Sequence, residues 1–149
     1  MDCGSQHRPG RYLAIQIAGK YYAVANDCVR EIMPAQELFP PLLKHGSAAG
    51  EKGLNGFLHT RGLRLPVFDL PFRLGGGARL GAIVVSTQTR IVVAEAHGTQ
   101  VAFYADRLTD MILARAHEIR RDSIVGHGRP KTILVLDRLW DPYELKELA

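Results

Sequence analysis

The stretch that decides the reading is Gly56–Gly75, "GFLHTRGLRLPVFDLPFRLG". Two apolar runs are separated by the step Arg61-Gly62, and the second run closes on Asp69-Leu70-Pro71. An Arg-Gly step between two strand-like runs is a hairpin turn, a catalytic loop or a contact surface for another protein. The spacing favours the turn as structure: glycine adopts the left-handed backbone that a tight hairpin requires. It favours the contact surface as function, because a rigid turn presents the arginine to solvent.

The same punctuation recurs upstream and downstream. In "RYLAIQI", Leu13, Ile15 and Ile17 point one way, Gly19 offers a turn, and "YYAVA" resumes as a strand. In "NDCVREIMP", Asn26 or Asp27 caps a short helix with Val29, Ile32 and Met33 on one face, and Pro34 ends it. Residues 35–53 read as a loop, Gly75-Gly76-Gly77 as a linker, and residues 1–10 as a flexible polar tail. "LGAIVVS", "RIVVAEA", "VAFYA", "LTDMILA" and "TILVLDRLW" supply further strands, the last with a short helical finish. About nine strand runs with short helices at the joints is an all-β pattern, a barrel or a sandwich.

An internal echo narrows this. Residues 11–33 lie over residues 90–112 without a gap: Gly19 meets Gly98, Asp27 meets Asp106, Val29 meets Leu108, and Glu31 meets Asp110. "PVFDLPFRL" at 66–74 resembles "LVLDRLWD" at 134–141, each a strand, an aspartate (Asp69 or Asp137) and a helical tail. The expectation is two related small barrels, about 11–77 and about 78–149, with strands exchanged across that line if the halves interlock. Gly19, Asp27, Asp69, Gly98, Asp106 and Asp137 are the expected turn and cap residues. Closing a few strands into a barrel removes the edges that an open sheet exposes to aggregation.

Composition excludes several classes. The chain has 149 residues and a net charge of +4, but its 19 Lys and Arg are scattered, and the Arg120-Arg121 pair is flanked by Glu118 and Asp122. No basic stripe suggests nucleic acid, and Tyr21-Tyr22 and Phe103-Tyr104 lie in strands where few rings are left to stack on bases. A barrel-fold nucleic-acid binder is therefore the second reading. Two cysteines, Cys3 and Cys28, make no disulfide framework, the start lacks a signal-peptide core, and no apolar run approaches the ~20 residues of a membrane span. A cytoplasmic, non-inserting protein is the simplest expectation.

No catalytic or cofactor constellation assembles. His117-Glu118 would begin a zinc-protease string, but Arg121 stands where the second histidine is needed. The triple glycine lacks the Lys-Ser/Thr of a phosphate loop, and Cys28 has no motif around it. Asp69 with Asp137, and Asp106 with Asp110, are explained as caps. Neither enzyme activity nor a cofactor is expected.

"VREI" at Val29–Ile32, "LNGFLHTRG" at Leu54–Gly62, "LRLPVFDL" at Leu63–Leu70, the hairpin at Arg90–Leu108 and "ILVLDRLW" at Ile133–Trp140 together resemble the CheW-like domain, the adaptor module of bacterial chemosensory arrays. The resemblance covers about residues 11–145. It implies two five-stranded SH3-like barrels packed side by side; the stretch between Ile119 and Ile133 departs from the family by being shorter, so a shortened second barrel is expected. It also implies a non-enzymatic adaptor that couples the cytoplasmic tip of a chemoreceptor to the regulatory domain of a CheA-type histidine kinase. On that resemblance Val29, Glu31 and Ile32 fall in the receptor-facing region, and Arg61, with Gly62, at the arginine associated with coupling. His59-Thr60 stands where the family has Asn-Leu.

Overall fold

The computed structural model describes residues 7–35, 53–74 and 86–148. The LGAIVVS run, the triple glycine and most of the 35–53 loop lie outside the described residues, apart from Ser86 and the loop's two ends. Strands β1 (Gly10–Ile17) and β2 (Lys20–Ala25) form the first hairpin, followed by a 3-10 turn (Asn26–Cys28) and β3 (Val29–Pro34). Strands β4 (Leu54–Thr60) and β5 (Leu63–Phe68) flank Arg61-Gly62 and lead into the one-turn helix α1 (Leu70–Arg73). Strands β6 (Arg90–Ala96) and β7 (Thr99–Ala105) form the third hairpin, and β8 (Arg107–Ala114) follows. A second 3-10 turn (Ala116–Glu118), β9 (Ile119–Arg120), β10 (Ser123–Ile124), β11 (Lys131–Leu134), a third 3-10 turn (Leu136–Arg138) and helix α2 (Pro142–Leu148) complete the chain.

The strands form two sheets of the two-barrel SH3-like architecture. One has the order β3-β6-β7-β5-β4 and the other β8-β1-β2-β11-β10-β9. The second is shortened in strand length and not in number, since β9 and β10 hold two residues each.

The sheets do not divide near the triple glycine. The hairpin β1–β2 sits in one sheet with β8 to β11, and the hairpin β6–β7 sits in the other with β3 to β5. The exchange is reciprocal and follows the internal echo rung by rung. Arg11 pairs with Leu113 and Arg90 with Pro34; Leu13 with Met111 and Val92 with Ile32; Ile15 with Leu108 and Ala94 with Val29. Each hairpin thus takes as its neighbour the strand that follows the other hairpin.

Three apolar clusters fill this arrangement. Met33, Leu58, Leu65, Val67, Ile91, Val93, Ala102 and Tyr104 line one sheet's own core. Tyr12, Ala23, Ile112, Ile124 and Ile133 are among those lining the other's. Between them lies a larger cluster to which both sheets contribute, including Leu13, Ile15, Val24, Val92, Phe103, Leu134 and Trp140. Strands such as β6 and β7 are therefore buried on both faces, which is why "IVVA" and "VAFYA" read as continuous apolar runs instead of alternating ones.

One expectation is corrected. The short helix expected over Asn26–Met33 is only the three-residue 3-10 turn, and Val29–Pro34 is strand β3. Asp27 does not cap it: the N-cap position is Ala25, with no side-chain cap hydrogen bond, while the Asp27 carbonyl accepts from Arg30. β-branched Val29 and Ile32 pair along β6, and ladder hydrogen bonds outweigh the local helical pattern. Of the tail expected over 1–10, residues 7–10 are described. His7 Nε2 lies 3.4 Å from Asp122 Oδ1, Tyr12 donates its hydroxyl to the Arg8 carbonyl at 2.7 Å, and Gly10 already belongs to β1.

Candidate protein-binding surface

The turn between β4 and β5 places Arg61 at φ 53° and Gly62 at φ 72°. Positive φ at both central residues is the type I′ geometry, whose twist matches the flanking strands. Ala18-Gly19 and His97-Gly98 repeat it. Only Gly adopts this conformation without steric cost, so the arginine is held in a left-handed conformation by its neighbours.

Arg61 projects from this turn with its side chain 76% exposed, and its Nη2 lies 2.9 Å from Glu31 Oε1. Two of the expected residues, from β3 and from the β4–β5 turn, therefore meet although β3 and β4 are the opposite edge strands of the five-stranded sheet. The Arg64 guanidinium stacks 3.6 Å from the centroid of the buried Phe57 ring, and Leu63 is half exposed. Residues 59–64 border an open depression of about 360 Å³ that includes His59, Thr60 and Gly62.

Val29 and Ile32 face elsewhere. The ladder between β3 and β6 shifts register between Val29 and Glu31, so Arg30 is an extra residue. Val29 is half buried against the shared cluster. Ile32 lies opposite Val92, a member of that cluster, but keeps 39% exposure. The structure thus brings Glu31 and Arg61 together and puts Val29 and Ile32 on the face turned toward the other sheet. Arg30 is fixed beside them by Glu95, with Nη2–Oε2 at 2.7 Å.

The expected turn and cap residues hold other elements. The Asp106 carboxylate accepts the Ala18 backbone N–H at 2.8 Å, closing the turn that contains Gly19. The Asp137 carboxylate accepts the His97 N–H at 2.9 Å, beside Gly98, while the His97 ring bonds the Asp137 and Trp140 carbonyls. Asp69 is buried at the N-cap position of α1 without a capping hydrogen bond from its side chain, and its N–H donates to the Gly53 carbonyl.

Sequence reasoning missed the clamp between α1 and α2. Arg73 forms a bidentate pair with Glu144 at 2.7 and 2.6 Å, donates to the Leu139 carbonyl, and lies over the Phe68 and Trp140 rings. No local pattern links two residues so far apart in the chain. It also missed the reciprocal contact in which the Arg115 N–H donates to Glu118 Oε1 and the Glu118 N–H to the Arg115 carbonyl. The Arg115 N–H, joined by His127, holds the Glu118 carboxyl below its ordinary range.

Cys28 is buried and forms no disulfide, which suits a core residue better than a nucleophile. Phe103, Tyr104 and Tyr22 are buried, so these rings present no stacking platform, and burial raises the hydroxyl pKa of both tyrosines. Among the described residues no group of three His, Cys, Asp or Glu could hold a metal ion, and no helix is long and apolar enough to cross a membrane.

Comparison with known proteins follows the same lines. The sequence pattern of the CheW-like domain matches residues 11–137. Among solved structures, the chain resembles the scaffolding protein TtCheW from Thermoanaerobacter tengcongensis with a TM-score of 0.72 and 18% identity, covering 92% of this chain and 93% of that one. At that identity the likeness speaks for the fold. No curated protein sequence gives a significant match.

Proposed function

The chain belongs to the CheW-like domain family, and from that premise we propose that it is a non-enzymatic scaffold that couples chemoreceptors to a CheA-type histidine kinase. On this reading it works in the cytoplasm, at membrane receptor arrays. The observation that carries the reading is the exposed pairing of Arg61 with Glu31, with the exposed Ile32 next along β3 on its other face.

Physics supports such a role for Arg61. A guanidinium presented by a rigid turn loses little freedom on docking, and its planar fork donates two hydrogen bonds to a carboxylate. Its exposed pairing with Glu31 is weak, roughly 0–1 kcal/mol, so a partner's carboxylate can compete for it. Ile32 supplies apolar area of the kind that anchors an interface.

Co-sedimentation of the purified protein with receptor cytoplasmic fragments and kinase tests this. The wild type enters the ternary complex. Arg61→Ala and Arg61→Glu weaken assembly while leaving the unfolding transition near that of the wild type. Undiminished assembly with both variants removes Arg61 from the interface, and failure of the wild type to assemble overturns the adaptor reading.

A further inference from the structure

The fold gathers cations that lie far apart in the sequence. Strands β9 and β10 pair Arg120 with Ser123, so Arg121-Asp122 is a two-residue turn, with Arg121 at φ 54°. The Asp122 carboxylate lies 3.4 Å from His7 Nε2, which sets Arg8 beside that turn.

The other end of the β9–β10 pair collects a second group. The Glu118 carboxylate accepts the Arg115 N–H at 2.8 Å and lies 3.1 Å from His127 Nε2, in the loop that also carries Arg129. The Lys131 ammonium closes that loop by donating to the His127 and Arg129 carbonyls at 2.6 and 2.9 Å. Arg8, Arg115, Arg120, Arg121 and Arg129 are all exposed.

These five arginines and Lys131 stand against two carboxylates, Glu118 and Asp122, so this end of the molecule carries +4. That equals the formal net charge of the whole chain: the other 13 of the 19 Lys and Arg are matched by the other 13 of the 15 Asp and Glu. Each of the two carboxylates faces a histidine. Among the described residues the side chains of Arg8, Arg120 and Arg121 form no hydrogen bond or ion pair. A one-sided field of this kind concentrates anions at the surface.

We propose that this end of the six-stranded sheet binds the phosphate backbone of double-stranded nucleic acid without reading its sequence. The function is additional to coupling and does not rest on it, since Glu31, Ile32 and Arg61 belong to the other sheet. Arginine suits phosphate because its planar fork donates two parallel hydrogen bonds. Glu118, which marks the Arg115–Arg129 group, and Arg121 in the turn are three residues apart along the strand, roughly 10 Å. That separation is comparable to the ~12 Å width of the major groove, so the two groups of arginines meet phosphates on its two sides.

The neighbourhood favours a duplex over other anions. Single strands are held on aromatic platforms. Residues 115–131 contain no Phe, Tyr or Trp, and the nearby Tyr21 ring is already covered by Arg129, 5.3 Å from its guanidinium. An anionic membrane surface is gripped by apolar side chains that insert beside the cations. Among the described residues, the exposed large hydrophobics are Ile32, Leu63, Met111, Leu113 and Tyr143, none of them within 115–131. What the patch offers is charge with hydrogen-bond donors, which is what a phosphate backbone requires.

The test is fluorescence anisotropy of the full chain with a labelled mixed-sequence duplex of about 20 base pairs, from about 50 to about 200 mM salt. The wild type should bind with a dissociation constant of about 1–100 µM at the low salt. With about four phosphates neutralised, affinity should fall roughly 100-fold across that range. Arg120→Ala with Arg121→Ala should weaken binding roughly tenfold or more and lower the slope against log salt by about two. Arg8→Glu, outside every strand ladder, is the second variant and should weaken binding in the same direction. Arg138→Ala with Lys146→Ala removes the same charge elsewhere and should leave binding near wild type. Unfolding midpoints equal to wild type confine each loss to the surface. Absence of duplex binding by the wild type at low salt, or equal weakening by the control pair, overturns the inference. Phosphatidylserine vesicles and the kinase regulatory domain form separate arms. If one of them binds through Arg120 and Arg121 while the duplex does not bind, the patch serves a membrane or an acidic protein and the inference fails. Assembly with receptor fragments and kinase is read independently, so failure here leaves the adaptor reading standing.

Discussion

Removing one partner of the Arg73–Glu144 clamp is expected to cost far more than removing one partner of the Arg61–Glu31 pair. Both are single Arg–Glu contacts, but their surroundings differ. Arg73 and Glu144 keep only 12% side-chain exposure each, and two parallel hydrogen bonds of 2.6 and 2.7 Å join them. Glu144→Ala leaves a guanidinium largely shielded from water, with the Leu139 carbonyl and two aromatic faces as its remaining support. Stranding a buried charge costs roughly 3–5 kcal/mol, and the residual exposure favours the low end, about 3 kcal/mol. Alanine is a good helix former, so α2 itself does not add to the loss. With a urea m-value of about 2 kcal/mol/M, the unfolding midpoint should fall by ~1.5 M. The double variant Arg73→Met with Glu144→Leu should recover most of that, because no charge is left unpaired. The clamp should also resist 0.5 M salt, since shielded pairs are weakly screened. Glu31→Ala, by contrast, should cost under about 1 kcal/mol, because Arg61 returns to water. A Glu144→Ala midpoint within about 0.3 M of wild type, which is roughly 0.5 kcal/mol, would refute this account of how α2 is held.

Three further measurements test the turns and the acid behaviour. At Gly62, an added Cβ meets nothing within 4 Å but sits at φ +72°, so Gly62→Ala should cost about 1–2 kcal/mol in chemical denaturation. At Gly53 (φ +76°) the Cβ would lie 2.6 Å from Phe72 Cδ1, so Gly53→Ala should cost more than Gly62→Ala; equal losses would rule out that close approach. Asp106→Ala and Asp137→Ala should each cost roughly 1–2 kcal/mol and accelerate amide exchange at Ala18 and His97; unchanged exchange argues against the carboxylate acceptors. The Glu118 carboxyl is lowered in the fold, so its contribution is complete above its ordinary value of 4.5 and is lost as pH falls through the lowered one. Glu118→Gln should flatten that acid limb of the stability curve, and an unaltered limb would contradict the assignment.

The parts of this fold that were legible in the sequence are those fixed locally. Arg61-Gly62 and the glycines at 19 and 98 announce their turns because only a short list of residues accepts positive φ. The misread helix has an equally local cause. Val29 and Ile32 are three residues apart, which imitates helical periodicity. In the structure the extra residue Arg30 shifts a period-two strand by one, bringing both side chains to the same face. Leu108 and Met111 repeat the imitation through Thr109. The ungapped echo showed that the halves are alike, but which strand each hairpin takes as neighbour depends on long-range pairing, and so does the Arg73–Glu144 contact. Glu31 and Arg61 were singled out separately; their meeting depends on how the β4–β5 turn reaches β3, which neither local pattern encodes.

The reciprocal trade of strands has a consequence for any attempt to take this protein apart. A chain cut between Arg73 and Arg90 would not release two autonomous modules, because each fragment retains strands whose ladder partners lie in the other. Neither piece completes its apolar interior alone, whereas the two mixed together can complement each other and rebuild the whole. The same interlock ties the outer strand β3 to the common interior: it pairs with β6, and β6 gives Val92 and Ala94 to the apolar layer that both sheets share.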